Sequence, residues 1–280
     1  MTGKTVVITG ASSGIGAIAA RQLARQGARV VPVGRSQNET FALARELGVE
    51  AFVADYARLD DVKALANQLL DTFPKIDVLA HNAGTMMGKR TITEDGHEYT
   101  LQVNYLAPFL LQHLLHDRLS TSKAHVVVTS SLAHWFGGIH LDDLNFDKRR
   151  YSTQAAYADS KLADLLFARE IASQSPQTGI TAAAFHPGVV ATRVGRDAAG
   201  VLSVSYNTSM GRAFMFNQEK GGGNLVAMLS HENQNGINGQ YFSASLISNR
   251  LISNARSSKQ ARDIELGQNL WQRTESILGL

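Results

Sequence analysis

Short runs of apolar and β-branched residues alternate with stretches in which apolar positions recur three and four apart. Residues 5–9 (Thr-Val-Val-Ile-Thr) read as a strand, and Ile18, Ala19, Gln22 and Leu23 continue at helical spacing until Gly27 supplies a C-cap. The same alternation predicts strands at 29–33, 51–54, 76–80, 124–129 and 180–185. Between them it predicts helices at 39–47, 59–73 and around 101–111, and one carrying Leu162, Leu165, Leu166 and the stem of Arg169 on an apolar face. A long loop is expected over 132–156, and small and polar residues over 194–217. Gly221 to Gly223 reads as an interruption before a helix at 224–229, and 239–243 as a last strand. The tail from Ala244 reads as polar and loosely helical. Strand–helix alternation with short links predicts an α/β fold: a Rossmann-type, doubly wound parallel sheet in three layers. No repeat, linker or break in composition divides the chain, so a single domain over 1–280 is expected.

Composition narrows the class. With 44% hydrophobic and 18% charged residues the chain can bury a full core and is not of the disordered type. The formal net charge is +3, and Lys148-Arg-Arg150 is the one basic run, so no nucleic-acid partner is suggested. The absence of cysteine excludes disulfides, thiol nucleophiles and cysteine-ligated metal centres. His97-Glu-Tyr-Thr-Leu breaks the H-E-x-x-H zinc pattern, and His113 and His116 read as a solvated helix face, so no metal is expected. No apolar run reaches the ~18–20 residues of a membrane span, and a strand starting at Thr5 leaves no room for a signal peptide. A cytoplasmic protein without a membrane anchor is the expectation.

The candidate chemistry sits at strand ends. Gly10-Ala-Ser-Ser-Gly-Ile-Gly16 joins a strand to a helix, the context in which small residues let a backbone approach a dinucleotide pyrophosphate at a helix N-terminus. After the second strand, an NAD site normally carries an acid for the ribose hydroxyls. Here stand Gly34 and then Arg35, which suits the 2′-phosphate of NADP, although a surface arginine in a loop is the plainer reading. His81-Asn-Ala-Gly84 is a polar, small-residue turn at another strand end. Asn104 is polar within an apolar helical stretch, and Pro108 deprives its carbonyl of the usual partner. Either that carbonyl holds a water or Asn104 is a buried asparagine satisfied by its neighbours. Tyr157 and Lys161 are one helical turn apart, so an ammonium can favour the phenolate of a residue that is otherwise a weak acid. Taken alone, Y-x-x-x-K is common and reads as a surface Tyr–Lys pair; the other motifs change that.

Together these residues resemble the short-chain dehydrogenase/reductase family. The matches are Thr9-Gly10…Gly14…Gly16, Asn82-Ala-Gly84, Asn104, Ser131, Tyr157…Lys161 and Pro187-Gly188…Thr192, in family order over nearly the whole chain. Thr93-Glu-Asp-Gly96, Ser-Ser-Leu-Ala-His134, Leu-Asp-Asp-Leu-Asn145, Ser160-Lys-Leu-Ala163 and Gly239…Tyr241-Phe242 look like its retinol dehydrogenase-like branch. The resemblance implies an NADP(H)-dependent oxidoreductase acting on a carbonyl or alcohol, with Tyr157 as general acid and base. Lys161 would assist Tyr157 and bond the nicotinamide ribose, Ser131 rather than Ser130 would polarise the substrate oxygen, and Asn104 would hold a water. Gly10, Ser12, Ser13, Ile15 and Gly16 would hold phosphates and ribose, with Arg35 on the 2′-phosphate. Asp55 and Tyr56 would flank the adenine, and Asn82, Ala83 and Gly84 the ribose. The Pro187-Gly188 turn with Val190 and Thr192 would hold the carboxamide. A lid-like segment over about 190–217 and a small-molecule substrate are implied, with a homodimer or homotetramer as the possible assembly. Trp135, Phe136, Met210, Phe214, Met215 and Phe216 suggest an apolar substrate pocket. Three features depart from the pattern: His81 precedes Asn82, twenty-six positions separate Ser131 from Tyr157, and the branch's frequent N-terminal anchor is missing. The other reading is a non-catalytic NADP(H)-binding regulator or scaffold on the same fold.

Overall fold

The computed structural model describes residues 1–188, 218–244, 251–252 and 255–280. The strands in it are β1 (Thr5–Thr9), β2 (Arg29–Gly34), β3 (Phe52–Val53), β4 (Val78–His81), β5 (His125–Thr129), β6 (Thr181–His186), β7 (Tyr241–Ala244) and β8 (Leu251–Ile252). They form one sheet in the order β3-β2-β1-β4-β5-β6-β7-β8. Pairing is parallel from β3 through β7, and β8 adds an antiparallel edge. The helices that cover it are α1 (Gly14–Arg25), α2 (Gln37–Leu47), α3 (Leu59–Thr72), α4 (Tyr99–Leu101), α5 (Ala107–Leu114), α6 (His116–Ser122), α7 (Thr153–Ser173), α8 (Ser175–Thr178), α9 (Gln218–Leu229) and α10 (Ile264–Leu278).

Both faces of the sheet are buried, which is why its strands read as continuous apolar runs rather than alternating ones. Successive residues nevertheless serve different layers. Val7, Val31, Leu79, Val126, Val128, Ala182 and Ala184 pack into one core with residues of α3, α5, α7 and α10. Val6, Ile8, Val30, Val78, Ala80, Val127, Ala183 and Phe185 pack into the other with residues of α1, α2 and α9. The result is the expected three-layer, doubly wound sheet. The chain moves outward from β1 through β2 to β3 and then returns to β4 on the far side of β1. The carboxyl ends of β1 and β4 therefore flank a topological switch point, where open α/β sheets place their ligands.

Four expectations change. The predicted apolar face of the 157–169 helix is instead burial on nearly every side of α7, Ala158, Ser160, Lys161, Ala163, Asp164, Phe167 and Ala168 included. The sheet lies on one flank of this helix, and α10 packs on another. The glycine run does not interrupt α9, which passes through it from Gln218. Its packing partner is α1: a Cβ at Gly222 would lie 2.4 Å from Ile18 Cγ2, so glycine lets the two helices close together. The tail is not loose. Asp263 caps α10 and Gly279 ends it in the left-handed region, while Trp271 packs its ring on Phe109 at 4.6 Å. The Tyr105 and Thr274 hydroxyls share a buried bond of 2.9 Å across the same junction. Finally, the 132–156 loop opens with a 3₁₀ turn, Leu132–Phe136, and α7 begins at Thr153 under a Ser152 cap, ahead of Tyr157.

The Gly222 contact is testable. Helix propensity alone favours alanine over glycine by about 1 kcal/mol, whereas overpacking costs about 1–3 kcal/mol. Gly222→Ala should therefore destabilise the wild-type protein in urea unfolding and lose that penalty in an Ile18→Ala background. Equal effects in both backgrounds would count against the Ile18 contact.

Candidate active site

The glycine turn after β1 is shaped by its neighbours. Gly10 has φ +68°, and a Cβ there would lie 2.8 Å from Ala83 Cα. A Cβ at Gly16 would meet the Gly10 carbonyl oxygen at 2.5 Å and Asn82 Nδ2 at 2.8 Å. Both contacts are with backbone or a fixed amide, so neither position admits a side chain. Ser13 is the N-cap of α1 in extended conformation, yet no side chain caps the helix and its first turn carries no acid. By contrast Ser36 and Ser152 cap α2 and α7 with their hydroxyls. An uncapped N-terminus under a glycine cradle is the arrangement that suits a dinucleotide pyrophosphate. Ser12 and Ser13 are half-buried and Ile15 is buried at this turn.

Across the switch point, Thr9 holds the second turn. Its Oγ1 accepts from the N–H of Asn82 at 3.0 Å and of Ala83 at 3.1 Å, and donates to the Ala80 carbonyl at 3.0 Å. Asn82 Nδ2 donates to the Thr9 carbonyl at 2.9 Å. The His81 ring takes no part in this turn. It faces the opposite layer, contacts Gln112 Oε1 at 3.4 Å and lies 5.5 Å from the Phe167 ring.

Asn104 sits where the helix loosens. Residues Gln102–Leu106 form a π turn, with the Ala107 N–H bonded to the Gln102 carbonyl, and Pro108 follows in the first turn of α5. The Asn104 side chain is satisfied by neighbours: it donates to the Thr85 carbonyl at 3.0 Å and Ser160 Oγ at 2.9 Å, and accepts from the Thr85 N–H at 2.7 Å. A water would therefore have to use its backbone carbonyl. A Cβ built on Gly84 would lie 3.5 Å from Asn104 Oδ1 and 3.6 Å from Lys161 Nζ, so these three residues meet at one point.

Lys161 is 4% exposed. Its ammonium donates to the Thr129 carbonyl at 3.0 Å and to Asp164 Oδ2 at 2.8 Å, and stands 5.7 Å from the centre of the Tyr157 ring. Burial works against this ammonium, but the charges of Asp164 and Tyr157 outweigh it and raise its pKa. Burial likewise drives Asp164 up to about 6, with Lys161 pulling the other way. Tyr157 is half-buried. The two serines at the end of β5 differ in kind. Ser130 is buried and spends its hydroxyl on the Lys161 carbonyl at 2.7 Å, while Ser131 is half-buried and caps the 3₁₀ turn, accepting from the Ala133 N–H at 3.2 Å.

The remaining candidates fall around this edge. Arg35 is exposed at the end of β2, donating from Nη1 to the Tyr99 hydroxyl at 3.1 Å. Gly34 is pinned: a Cβ there would meet Thr40 Oγ1 at 2.4 Å and Ser12 Cβ at 2.8 Å. Asp55 is half-buried, accepting from the Ala57 N–H at 3.0 Å. The Tyr56 side chain is 5% exposed within the core, so only its backbone is left to face an adenine. Pro187 and Gly188 are buried, and the Pro187 carbonyl accepts from Asn224 Nδ2 at 3.2 Å. Val190, Thr192, the 190–217 segment and its Met210, Phe214, Met215 and Phe216 lie outside the described residues. Trp135 and Phe136 are 42% and 87% exposed just past Ser131.

The profile of the family described as short chain dehydrogenase matches residues 4–200. The chain belongs to the short chain dehydrogenase family. Its members are nicotinamide-dependent oxidoreductases, and the curated relatives place it in the retinol dehydrogenase-like branch. One relative, from Streptomyces sp. (strain C5) and provisionally named daunorubicin C-13 ketoreductase DnrU, is 40% identical over 100% of this chain and 94% of its own. Retinol dehydrogenase 13 of Homo sapiens is 33% identical over 99% of this chain and 85% of its own. Among solved structures, an uncharacterized protein from Mycobacterium Paratuberculosis superposes with a TM-score of 0.80 at 31% identity, covering 99% of this chain and 94% of that one. An NAD(P) dependent gluconate 5-dehydrogenase, provisionally so named, from Beutenbergia cavernae has NADP bound at low occupancy. It superposes with a TM-score of 0.67 at 27% identity, covering 87% of this chain and 95% of that one. Among the described residues of this short chain dehydrogenase, no helix is long and apolar enough to cross a membrane.

Sequence reasoning gave no supporting role to the groups that hold the site: Thr9 and Ser160 entered only as motif positions, and Thr85 and above all Asp164 not at all. The signal for Asp164 was present, as one acid three residues past Lys161 within Leu162-Ala-Asp-Leu-Leu-Phe167.

Burial also sets a pH dependence of stability. His81, His125 and His186 are 3%, 0% and 5% exposed, and burial lowers each from 6.5 to about 4. The unfolded chain then binds protons first as pH falls from 6.5, so stability present above pH 6.5 is lost down to about pH 4. Each imidazole can contribute on the order of 3 kcal/mol. Asp164 acts with the opposite sign, because its folded form binds a proton near pH 6, before the unfolded one does. The net is a fall of a few kcal/mol, measurable as the urea midpoint between pH 7 and 4.5. His125→Gln should flatten that slope, and an unchanged slope would show that His125 carries none of it.

Proposed function

We propose that the chain is an NADP(H)-dependent oxidoreductase that moves a hydride between nicotinamide and a carbonyl or alcohol carbon of an apolar small molecule. The observation that carries this reading is the buried Lys161 ammonium, held one turn from Tyr157 at the carboxyl edge of the sheet. The nicotinamide, when bound, supplies or accepts the hydride. Tyr157 is read as the group that gives a proton to the substrate oxygen in reduction and removes it in oxidation, with Lys161 making the phenolate accessible. Ser131, whose hydroxyl is not committed to the core as that of Ser130 is, is read as the donor that orients the oxygen. The Asn104 carbonyl beside Pro108 is read as the anchor of a water between Lys161 and solvent.

The glycine turn at 10–16 would take the pyrophosphate on the uncapped end of α1. Asn82, Ala83 and Gly84 would line the ribose side, and Asp55 with the Tyr56 backbone the adenine side. Val190 and Thr192 stay in the proposal on the resemblance alone, as does a lid over 190–217. Apolar substrate character is supported by the exposed rings of Trp135 and Phe136 beside Ser131, and by relatives named for retinol and daunorubicin. The chain is read as one domain built on a single sheet. A scaffold that only binds nucleotide needs the nucleotide site alone, whereas Asn104, Ser131, Tyr157 and Lys161 are all present in this chain, so the catalytic reading is preferred.

Tyr157→Phe should lower turnover of a carbonyl panel by ~10²–10⁴-fold while NADPH binding, read by fluorescence, stays nearly intact. Retention of more than about a tenth of wild-type kcat would remove Tyr157 from its role.

Cofactor choice is read from Arg35. Charge-assisted bonds to a 2′-phosphate contribute ~1.5–3 kcal/mol, roughly tenfold or more in affinity. The filled space at Gly34 makes an aspartate there a poor probe, because it would displace Thr40 or Ser12 as well as add charge. Arg35→Ala alone should cut the NADPH-over-NADH ratio of kcat/KM by about tenfold. A wild type indifferent to the two cofactors would mean that Arg35 serves only Tyr99.

A further inference from the structure

Asp164 is a buried acid that the reaction as described does not use. Its side chain is 2% exposed, and Oδ2 lies 2.8 Å from Lys161 Nζ. Its Oδ1 has no hydrogen-bond partner. It stands in an apolar run whose Leu162, Ala163, Leu165 and Leu166 are all buried. A buried ion pair with one oxygen unsatisfied is a poor stability device, since desolvation offsets much of its attraction. The carboxylate therefore has one partner among the described residues, the Lys161 ammonium. That ammonium is also the cation that faces Tyr157, 5.7 Å from the ring centre.

A cation near a phenol favours its ionised form, and an anion placed against that cation weakens the effect. We propose that Asp164 is a positioning residue that pairs with Lys161 and so keeps Tyr157 protonated to higher pH than Lys161 alone would allow. The proposal rests on the proton-transfer role given to Tyr157 above. It makes Asp164 a setting of the pH range in which the site can donate a proton to a carbonyl.

The surroundings leave Asp164 as the group able to do this. On its own helix it faces Lys161, which in turn stands toward the Tyr157 ring. From the π turn comes Tyr105, bonded to Thr274, with Glu275 of α10 beyond it; burial keeps that phenol protonated. From the end of β4 comes His81, against Phe167, held neutral above about pH 4 by burial. The 3₁₀ turn contributes His134, also lowered by burial. From β5 come the Thr129 carbonyl and the Ser130 hydroxyl, neither of which titrates.

Asp164→Asn separates charge from position, because the amide oxygen can still accept from Lys161 while the charge is gone. Tyrosinate absorbance of the cofactor-free protein, taken as the difference between Tyr157 and Tyr157→Phe forms, reads Tyr157 without any turnover. In Asp164→Asn the Tyr157 midpoint should fall by about one pH unit or more. The basic limb of kcat/KM for carbonyl reduction should move down with it, a loss of about tenfold at a fixed pH above the new midpoint. Asp164→Ala, which removes the acceptor too, should move the midpoint in the same direction. An unchanged midpoint in both folded variants would overturn the proposal. A displaced Tyr157 midpoint in a protein that turns over no carbonyl or alcohol would support the Asp164 coupling and sink the assigned activity instead.

Discussion

A charged ammonium that is 4% exposed has to be answered by its surroundings, and much of this structure can be read as the answer to Lys161. Leaving such a charge unpaired would cost several kcal/mol or force it to neutralise. Two acceptors meet it, the Thr129 carbonyl at the end of β5 and Asp164 on its own helix. The first lies one residue past the end of the β4–β5 register at Val128, and the Ser130 hydroxyl that follows returns to the Lys161 carbonyl. Lysine, strand end and helix are thus cross-tied, and the position of Tyr157 one turn earlier follows from that tie. α7 can hold the arrangement because it is buried between the sheet and α10, so it has little freedom to roll.

The cofactor side of the cleft depends on a smaller lock of the same kind. Thr9 closes β1 and, through one hydroxyl and one carbonyl, takes up the Asn82 and Ala83 N–H groups and the Asn82 amide. A turn that leaves a strand edge must satisfy its backbone groups somewhere. Satisfying them on the neighbouring strand fixes the width of the switch point. Gly10 and Gly16 then follow from space, because the turn from β4 already occupies the volume their Cβ atoms would need.

Periodicity together with run length made the sheet and its layers legible, since strands buried on both faces give short, β-branched apolar runs bounded by turn residues. The pattern misled where composition hid contacts. Gly221 to Gly223 read as a break because glycine is a poor helix former, but α9 needs small residues against Ile18 more than it needs propensity. The tail read as polar because Leu266, Leu270, Trp271 and Ile277 are spaced among charged residues, and only the Phe109 and Phe167 rings show what that stripe covers. The named site residues came from motifs. Their anchors did not, because Thr85 and Ser160 meet Asn104 only after folding, from nineteen and fifty-six positions away. For Tyr56 the motif names the position but not the direction of the ring, which the structure places in the core.

The long insertion between Ser131 and Tyr157 looks at first like a threat to a site that needs both. Loop entropy grows only slowly with length, so the cost of the extra residues depends on how they are tied. Asp143 gathers the loop: its carboxylate accepts from the N–H groups of Asp147, Lys148 and Arg149 and from the Arg149 guanidinium. Arg149 passes the tie on to Asp159 at 3.2 Å, and Asp159 in turn accepts from the Gly138 N–H at 2.7 Å. Gly138 stands just past the 3₁₀ turn that Ser131 caps, and Asp159 stands two residues past Tyr157. Both ends of the insertion are therefore clasped beside the reacting edge. A Cβ at Gly137 would lie 2.4 Å from the Ala158 carbonyl oxygen, so the clasp also closes backbone onto backbone. The insertion lengthens the chain between Ser131 and Tyr157 without loosening the structure that relates them.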